Sequence, residues 1–144
     1  MILHQKRPTR HVVDATRSYI MSRVGQRNTP PEIRVRKILH GAGYRFRIHR
    51  KDIPGTPDIV LPRYKLLIFV HGCFWHRHKG CKKATFPKTR QQFWRKKFAA
   101  NISRDAATVR LVRDLGWRCT IIWECQTLDS EALKRRIKRL LPVK

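Results

Sequence analysis

Residues 73–81 hold two cysteines and two histidines, Cys73, His76, His78 and Cys81. Thiolates and imidazoles at such short spacing fold a loop around one tetrahedral zinc ion, and the metal replaces regular secondary structure as the organising force. Three ligands come from this loop. The fourth is Cys119 or Cys125, the other two cysteines of the chain. Cys125 is better placed, because it ends a strand where the backbone can turn toward the loop. Cys119 stands mid-strand on an apolar face and reads as a core residue. Spacing does not choose between His76 and His78. A structural zinc takes all four ligands from protein, so one histidine of the pair is left for acid–base work near neutral pH. No apolar h-region of a secretory signal stands between Met1 and Val24. The expected compartment is therefore reducing and cytoplasmic, where four cysteines point to metal or burial rather than disulfides.

The segments around the loop alternate between helix and strand signals. Thr29-Pro30-Pro31-Glu32 starts a helix: Thr29 as N-cap, prolines in the first turn, Glu32 completing a capping box. Val35, Ile38, Leu39 and Ala42 then mark one buried face, and Gly41 and Gly43 end it. Residues 44–48 alternate apolar and polar, the pattern of a half-buried strand. Residues 54–57, Pro-Gly-Thr-Pro, form a loop. Residues 58–61 and 66–70 are apolar strands joined by residues 62–65, which predicts a hairpin. Thr89 and Gln92 form a second capping box. It opens a helical region to about Leu115, with a break expected near Asn101 and a stop at Gly116. Residues 117–124 are a further strand with Cys119, Ile121 and Trp123 on one side. Leu133, Ile137, Leu140 and Leu141 mark a C-terminal helix. The order predicts an α/β domain, a central mixed β-sheet flanked by helices. With 144 residues there is room for one domain. The longest apolar run, residues 66–70, is far below the roughly 20 residues that span a bilayer.

Charge supplies the partner class. Against 34 Lys and Arg stand 9 Asp and Glu, a formal charge of +25. Such a chain is most comfortable beside a polyanion, nucleic acid before an anionic membrane. Residues 1–21 form a highly basic N-terminal arm, with Tyr19, Ile20 and Met21 as an anchor at its end.

The shortage of acids narrows the search for a catalytic carboxylate. A Mg²⁺-dependent nuclease needs at least one aimed at the scissile phosphate. Asp58, after Pro57 and at the start of an apolar strand, belongs at the sheet edge where metals are held, although a strand-start aspartate is also an ordinary turn residue. Glu32 has its capping role. Asp105, Asp114, Asp129 and Glu131 fit helix surfaces or caps, Asp14 and Asp52 fall in loops, and Glu124 ends a strand. Among the aromatics, Phe74 and Trp75 are adjacent in the Cys/His loop and can form a wedge that unstacks bases. Trp94 lies among Arg90, Arg95, Lys96 and Lys97, a mixture suited to a nucleic-acid groove. Phe93 and Phe98 are expected to pack inward.

Together these residues resemble a known family. His71-Gly72-Cys73-Phe74-Trp75-His76-Arg77-His78 followed by Cys81 is similar to the signature of the Vsr, or very short patch repair, DNA mismatch endonucleases. So are residues 54–58, Phe93-Trp94, Asn101 with Arg104-Asp105, and the block from Gly116-Trp117 through Trp123-Glu124-Cys125. The similarity runs from about Ser22 to Cys125, which makes residues 22–144 a Vsr-like endonuclease domain. The resemblance implies a restriction-endonuclease-like fold and nicking of duplex DNA 5′ to the thymine of a T:G mismatch, the lesion left when 5-methylcytosine deaminates. By position it implies Asp58 as Mg²⁺ ligand, with the backbone carbonyl of Val70 beside it. It implies His76 as the histidine that activates water, and His71 and Glu32 as holders of water around the metals. Cys73, His78, Cys81 and Cys125 would hold the structural zinc, and Phe74, Trp75 and Trp94 would intercalate. It further implies a monomer linked functionally to a cytosine-5 DNA methyltransferase and to mismatch-repair proteins, with no membrane partner. The chain departs from related nucleases that carry a second acid on the strand after the Asp, since here that strand ends Phe69-Val70-His71-Gly72. Val70 stands where some Vsr proteins have Thr, and two residues separate His78 from Cys81 where some have one. Two other readings fit the charge: a zinc-stabilised nucleic-acid-binding module without catalysis, and a restriction-type endonuclease acting on homoduplex DNA.

Overall fold

The computed structural model describes residues 27–142; the basic arm 1–21 with Tyr19, Ile20 and Met21 lies outside them. Helix α1 (Pro30–Gly41) starts as its sequence predicts, with the Thr29 side chain accepting a hydrogen bond from the Glu32 backbone N–H. The carboxylate of Glu32 turns elsewhere: it accepts from the N–H of Asn28 instead of closing the box on Thr29. Strands β1 (Arg47–Ile48), β2 (Ile59–Leu61) and β3 (Leu66–His71) follow, then helix α2 (Gln91–Asp114), strand β4 (Arg118–Trp123) and helix α3 (Ser130–Leu140). Short 3₁₀ turns at Pro62–Tyr64 and Glu124–Thr127 connect them.

The four strands form one mixed sheet in the order β1-β2-β3-β4. The first three pair antiparallel and β3 pairs parallel with β4, from Leu66 opposite Arg118 to His71 opposite Trp123. The expected hairpin is present, closed by Lys65 in a left-handed conformation. The continuous apolar runs of β2 and β3 are explained by burial on both faces. Ile59, Leu61, Leu66 and Ile68 face Val35 and Leu39 of α1 and Leu133 and Ile137 of α3. Val60, Leu67 and Phe69 face Val112 of α2, with Cys119, Ile121 and Trp117 beside them. Cys119 is thus a core-flanking residue. Each fully buried Leu or Ile contributes on the order of 2 kcal/mol by leaving water, so this sheet is the rigid platform for whatever its ends carry.

Three further local expectations are corrected. The strand expected over residues 44–48 pairs only at Arg47 and Ile48, because Tyr44 is drawn back to α1: its N–H bonds the Leu39 carbonyl and its hydroxyl the Pro142 carbonyl. Helix α2 begins after Arg90, which adopts a left-handed conformation without a side-chain cap, so the Thr89–Gln92 box does not form. No break occurs at Asn101; α2 runs on for 24 residues, and the buried Asn101 amide is satisfied by donating to the Trp75 carbonyl at 3.0 Å. Among the described residues no helix is long and apolar enough to cross a membrane.

Candidate active site and metal cage

The antiparallel hairpin brings the start of β2 beside the end of β3. Asp58, immediately before β2, therefore faces Val70, whose N–H donates to Asp58 Oδ2 at 2.6 Å. Burial raises the Asp58 carboxyl to about 7, against the pull of the Val70 hydrogen bond, and the nearby Glu32 charge adds to the rise. The N-terminus of α1 delivers Glu32, which is 2% exposed. Its Oε2 accepts from Arg36 Nη2 at 2.9 Å and lies 3.1 Å from His49 Nε2. Ligand atoms of Glu32, His49 and Asp58 lie within 4.8 Å of one another. His49 was not legible as a site residue, since a histidine between Ile48 and Arg50 carries no spacing signal.

Past Val70 the chain turns into the Cys/His loop. His71 is buried and stacks on His76 with ring centroids 3.8 Å apart and planes within 11°. Burial lowers the His71 imidazole to about 4, and a charge on His76 would lower it further. His71 Nδ1 is buried with no hydrogen-bond partner among the described residues. His76 Nδ1 lies 2.6 Å from Asp105 Oδ2, one turn of α2 beyond Asn101. Burial pushes the Asp105 carboxyl up, but the hydrogen bond and charge of His76 outweigh it and hold it below the usual range. Asp105, read from the sequence as a surface or cap residue, is instead a partner of His76. The signal was present: Asn101, Arg104 and Asp105 at i, i+3 and i+4 share a helix face. Asp58, His71, His76, Asp105, Glu32 and His49 all line one open cleft of roughly 850 Å³, with Phe74 and Trp75 also in its wall.

The other side of the loop gathers the second set. Cys73, His78, Cys81 and Cys125 bring their ligand atoms within 4.8 Å of one another. His78 Nδ1 stands 3.7 Å from Cys73 Sγ and 3.3 Å from Cys125 Sγ. Zinc bonds of about 2.3 Å to sulfur and about 2.0 Å to nitrogen put a tetrahedral S···N pair about 3.6 Å apart, which the two His78 distances bracket, so the residues of this cage fit zinc. Parallel pairing of β3 with β4 explains it, because the two strands end side by side and Cys125 lies just past β4. The His78 ring is fixed by stacking on Trp123 at 4.3 Å. Buried as a free thiol, Cys73 is pushed up to about 12; a cation held in the cage would supply the charge that favours its thiolate.

The aromatics meet beside the cleft. Phe74 lies 5.2 Å from Trp75, 5.7 Å from Trp94 and 5.3 Å from Phe98, ring centre to ring centre, and Trp75 lies 5.9 Å from Trp94. Phe98 is buried, as expected. Phe93 is not: it is 38% exposed, with the Arg90 guanidinium 4.6 Å above its ring, because α2 turns that position outward.

A family model described as DNA mismatch endonuclease Vsr matches residues 11–83 of the chain. Three similar proteins extend the match. The type II nicking enzyme V.XorIIP of Xanthomonas oryzae is 48% identical over 125 residues, which cover 87% of this chain and 91% of that protein. The DNA mismatch endonuclease Vsr of Escherichia coli is 40% identical over 129 residues, covering 86% and 82%. The type II nicking enzyme V.NmeAIP of Neisseria meningitidis is 37% identical over 125 residues, covering 87% and 89%.

Proposed function

The chain belongs to the Vsr family of DNA mismatch endonucleases, and from that premise we propose that it nicks duplex DNA 5′ to the thymine of a T:G mismatch to start very short patch repair. The observation that carries this reading is the His76–Asp105 pair at 2.6 Å, in the same cleft as the half-buried carboxylate of Asp58.

The residues suit the chemistry. Asp58 and the Val70 carbonyl oxygen would hold Mg²⁺, with Glu32 and His71 binding its water shell. Carboxylate, carbonyl and water are the donors a hard cation takes. The unpartnered Nδ1 of buried His71 fits this assignment, since such an atom calls for water or an ion. When bound, Mg²⁺ stabilises the charge that grows on the scissile phosphate. His76 does the proton work. Asp105 accepts a hydrogen bond from Nδ1–H and stays ionised, which leaves the Nε2 lone pair to take a proton from water, and the Asp105 charge stabilises the imidazolium that results. His71, held neutral by burial, packs against that ring without adding charge. Cys73, His78, Cys81 and Cys125 would hold a structural zinc that fixes the loop carrying His76. Phe74, Trp75 and Trp94 would enter the base stack beside the mismatch, where a wobble pair costs less to distort than a Watson–Crick pair. Residues 22–144 would form this endonuclease domain, acting as a monomer, with the arm 1–21 clamping the duplex. A cytosine-5 methyltransferase would supply the 5-methylcytosine whose decay makes the substrate.

The test is a nicking assay on T:G, T:A and C:G duplexes with and without Mg²⁺. Nicking of the T strand of T:G alone, and only with Mg²⁺, is expected. Equal cutting of all three refutes the specificity, and double-strand cutting of matched DNA selects the restriction-type reading. Tight binding without cleavage, indifferent to Asp58→Ala, selects the binding module.

A further inference from the structure

In a chain with 34 Lys and Arg, most cationic side chains have solvent or phosphate to face. Arg77 does not use its charge in that way. It sits between His76 and His78 in a left-handed backbone conformation, φ 57°, and its guanidinium turns inward onto the aromatic cluster. The central carbon lies 4.0 Å from the Phe98 ring centre, and within 6 Å of Phe74 and Phe86. Nη1 donates to the carbonyls of Phe74 at 3.3 Å and Thr85 at 2.9 Å, and Nη2 to the carbonyl of Ala84 at 3.0 Å. One planar group therefore ties three pieces of chain together: the turn bearing Phe74 and Trp75, the segment leading to Phe86, and α2 through Phe98. The fork and the flat face are used at once, which a lysine ammonium cannot do.

We propose that Arg77 is a positioning residue for mismatch recognition, which holds Phe74 and Trp75 in the arrangement that enters the base stack. It acts through those rings and touches neither the phosphate nor the reacting atoms. The inference rests on the reading of Phe74 and Trp75 as intercalating residues. A wedge formed in advance loses little freedom on binding. Without Arg77 each ring must be ordered at the moment of insertion, a cost that falls on mismatched DNA and not on phosphate contacts to any duplex.

The experiment compares zinc-loaded full-length protein with Arg77→Lys and Arg77→Gln. It measures affinity for T:G and T:A duplexes over a salt series, with 2-aminopurine beside the mismatch to report unstacking. Expected for both variants is about a tenfold loss of T:G affinity, unchanged T:A affinity and an unchanged zinc content. The salt dependence on T:A stays that of wild type, and the 2-aminopurine signal saturates only at correspondingly higher protein. Equal losses on both duplexes, with a salt slope smaller by about one in Arg77→Gln alone, would make Arg77 a phosphate contact and overturn the proposal. Full T:G affinity in Arg77→Lys overturns it too, because charge alone would then suffice. Loss of zinc in both variants would make Arg77 a folding residue instead. If wild type itself prefers neither duplex, the mismatch reading falls and takes this inference with it; a preference that survives both substitutions refutes the inference alone.

Discussion

Replacing Asp58 by Asn should stabilise the protein while abolishing its nicking. The carboxyl is raised from 3.8 to about 7, chiefly by burial and secondarily by the Glu32 charge. Each unit is worth 1.36 kcal/mol, so ionising Asp58 in the folded, Mg²⁺-free protein costs on the order of 4 kcal/mol. The folded state holds this proton more tightly than the unfolded chain. Stability is therefore greatest below the unfolded value near 3.8 and falls as pH rises through 7. Asparagine keeps an oxygen for the Val70 N–H and carries no charge. Urea unfolding of zinc-loaded, Mg²⁺-free protein at several pH values reads the difference. Asp58→Asn should exceed wild type by about 2–4 kcal/mol at pH 8, and by less than about 1 kcal/mol near pH 4. Adding Mg²⁺ at about 100 times its dissociation constant should return about 2.7 kcal/mol to wild type and little to the variant. A variant less stable than wild type at pH 8, or a gap that does not change with pH, would refute the assignment of Asp58 as a desolvated, electrostatically strained carboxylate.

Three further outcomes follow from the geometry. His76→Ala should lower single-turnover nicking of a T:G duplex by roughly 10²- to 10⁴-fold with affinity retained, and Asp105→Asn should fall between it and wild type; normal nicking by either removes the proton-transfer assignment. Gly55 has φ +78°, and a Cβ there would collide with Thr108 Cγ2 on α2; Gly55→Ala should cost roughly 1–3 kcal/mol in thermal or urea unfolding, and an unchanged midpoint would mean that the loop and helix are not in contact. Metal analysis should give one zinc per chain, and Cys125→Ser should lose that zinc together with nicking; a zinc-free variant that nicks normally would separate the cage from catalysis.

The signals that rest on neighbours in sequence were legible. The Thr29 cap, the Pro62–Tyr64 hairpin turn and the stop at Gly116 all depend on a few adjacent residues. Asp58 stood out because acids are scarce in this chain, and it does stand immediately before a strand, as expected. What sequence could not supply was decided by distant partners. Tyr44 left the strand pattern for a carbonyl 98 residues away. Asn101 looked like a helix breaker until Trp75 supplied an acceptor for its amide. Asp105 looks like a surface residue, and His49 carries no signal, until the fold sets His76 and Glu32 beside them. The Thr89 box failed because Arg90 took the cap position in a left-handed turn, which helix-start rules do not anticipate.

The loop after β3 distributes consecutive residues among three neighbours. His71 and His76 face the cleft, Cys73 and His78 the cage, and Phe74 and Trp75 the aromatic cluster. One residue inserted or deleted between His71 and His78 would shift every side chain by one place and scramble all three destinations together. Length can change only where nothing is addressed. Lys79 and Gly80 are both exposed, and nothing packs over Gly80, whose left-handed φ of +74° restricts which residue stands there but not how many residues the segment holds. The segment between His78 and Cys81 is therefore where this loop can drift during evolution, and the eight residues before it form a block that must be inherited whole.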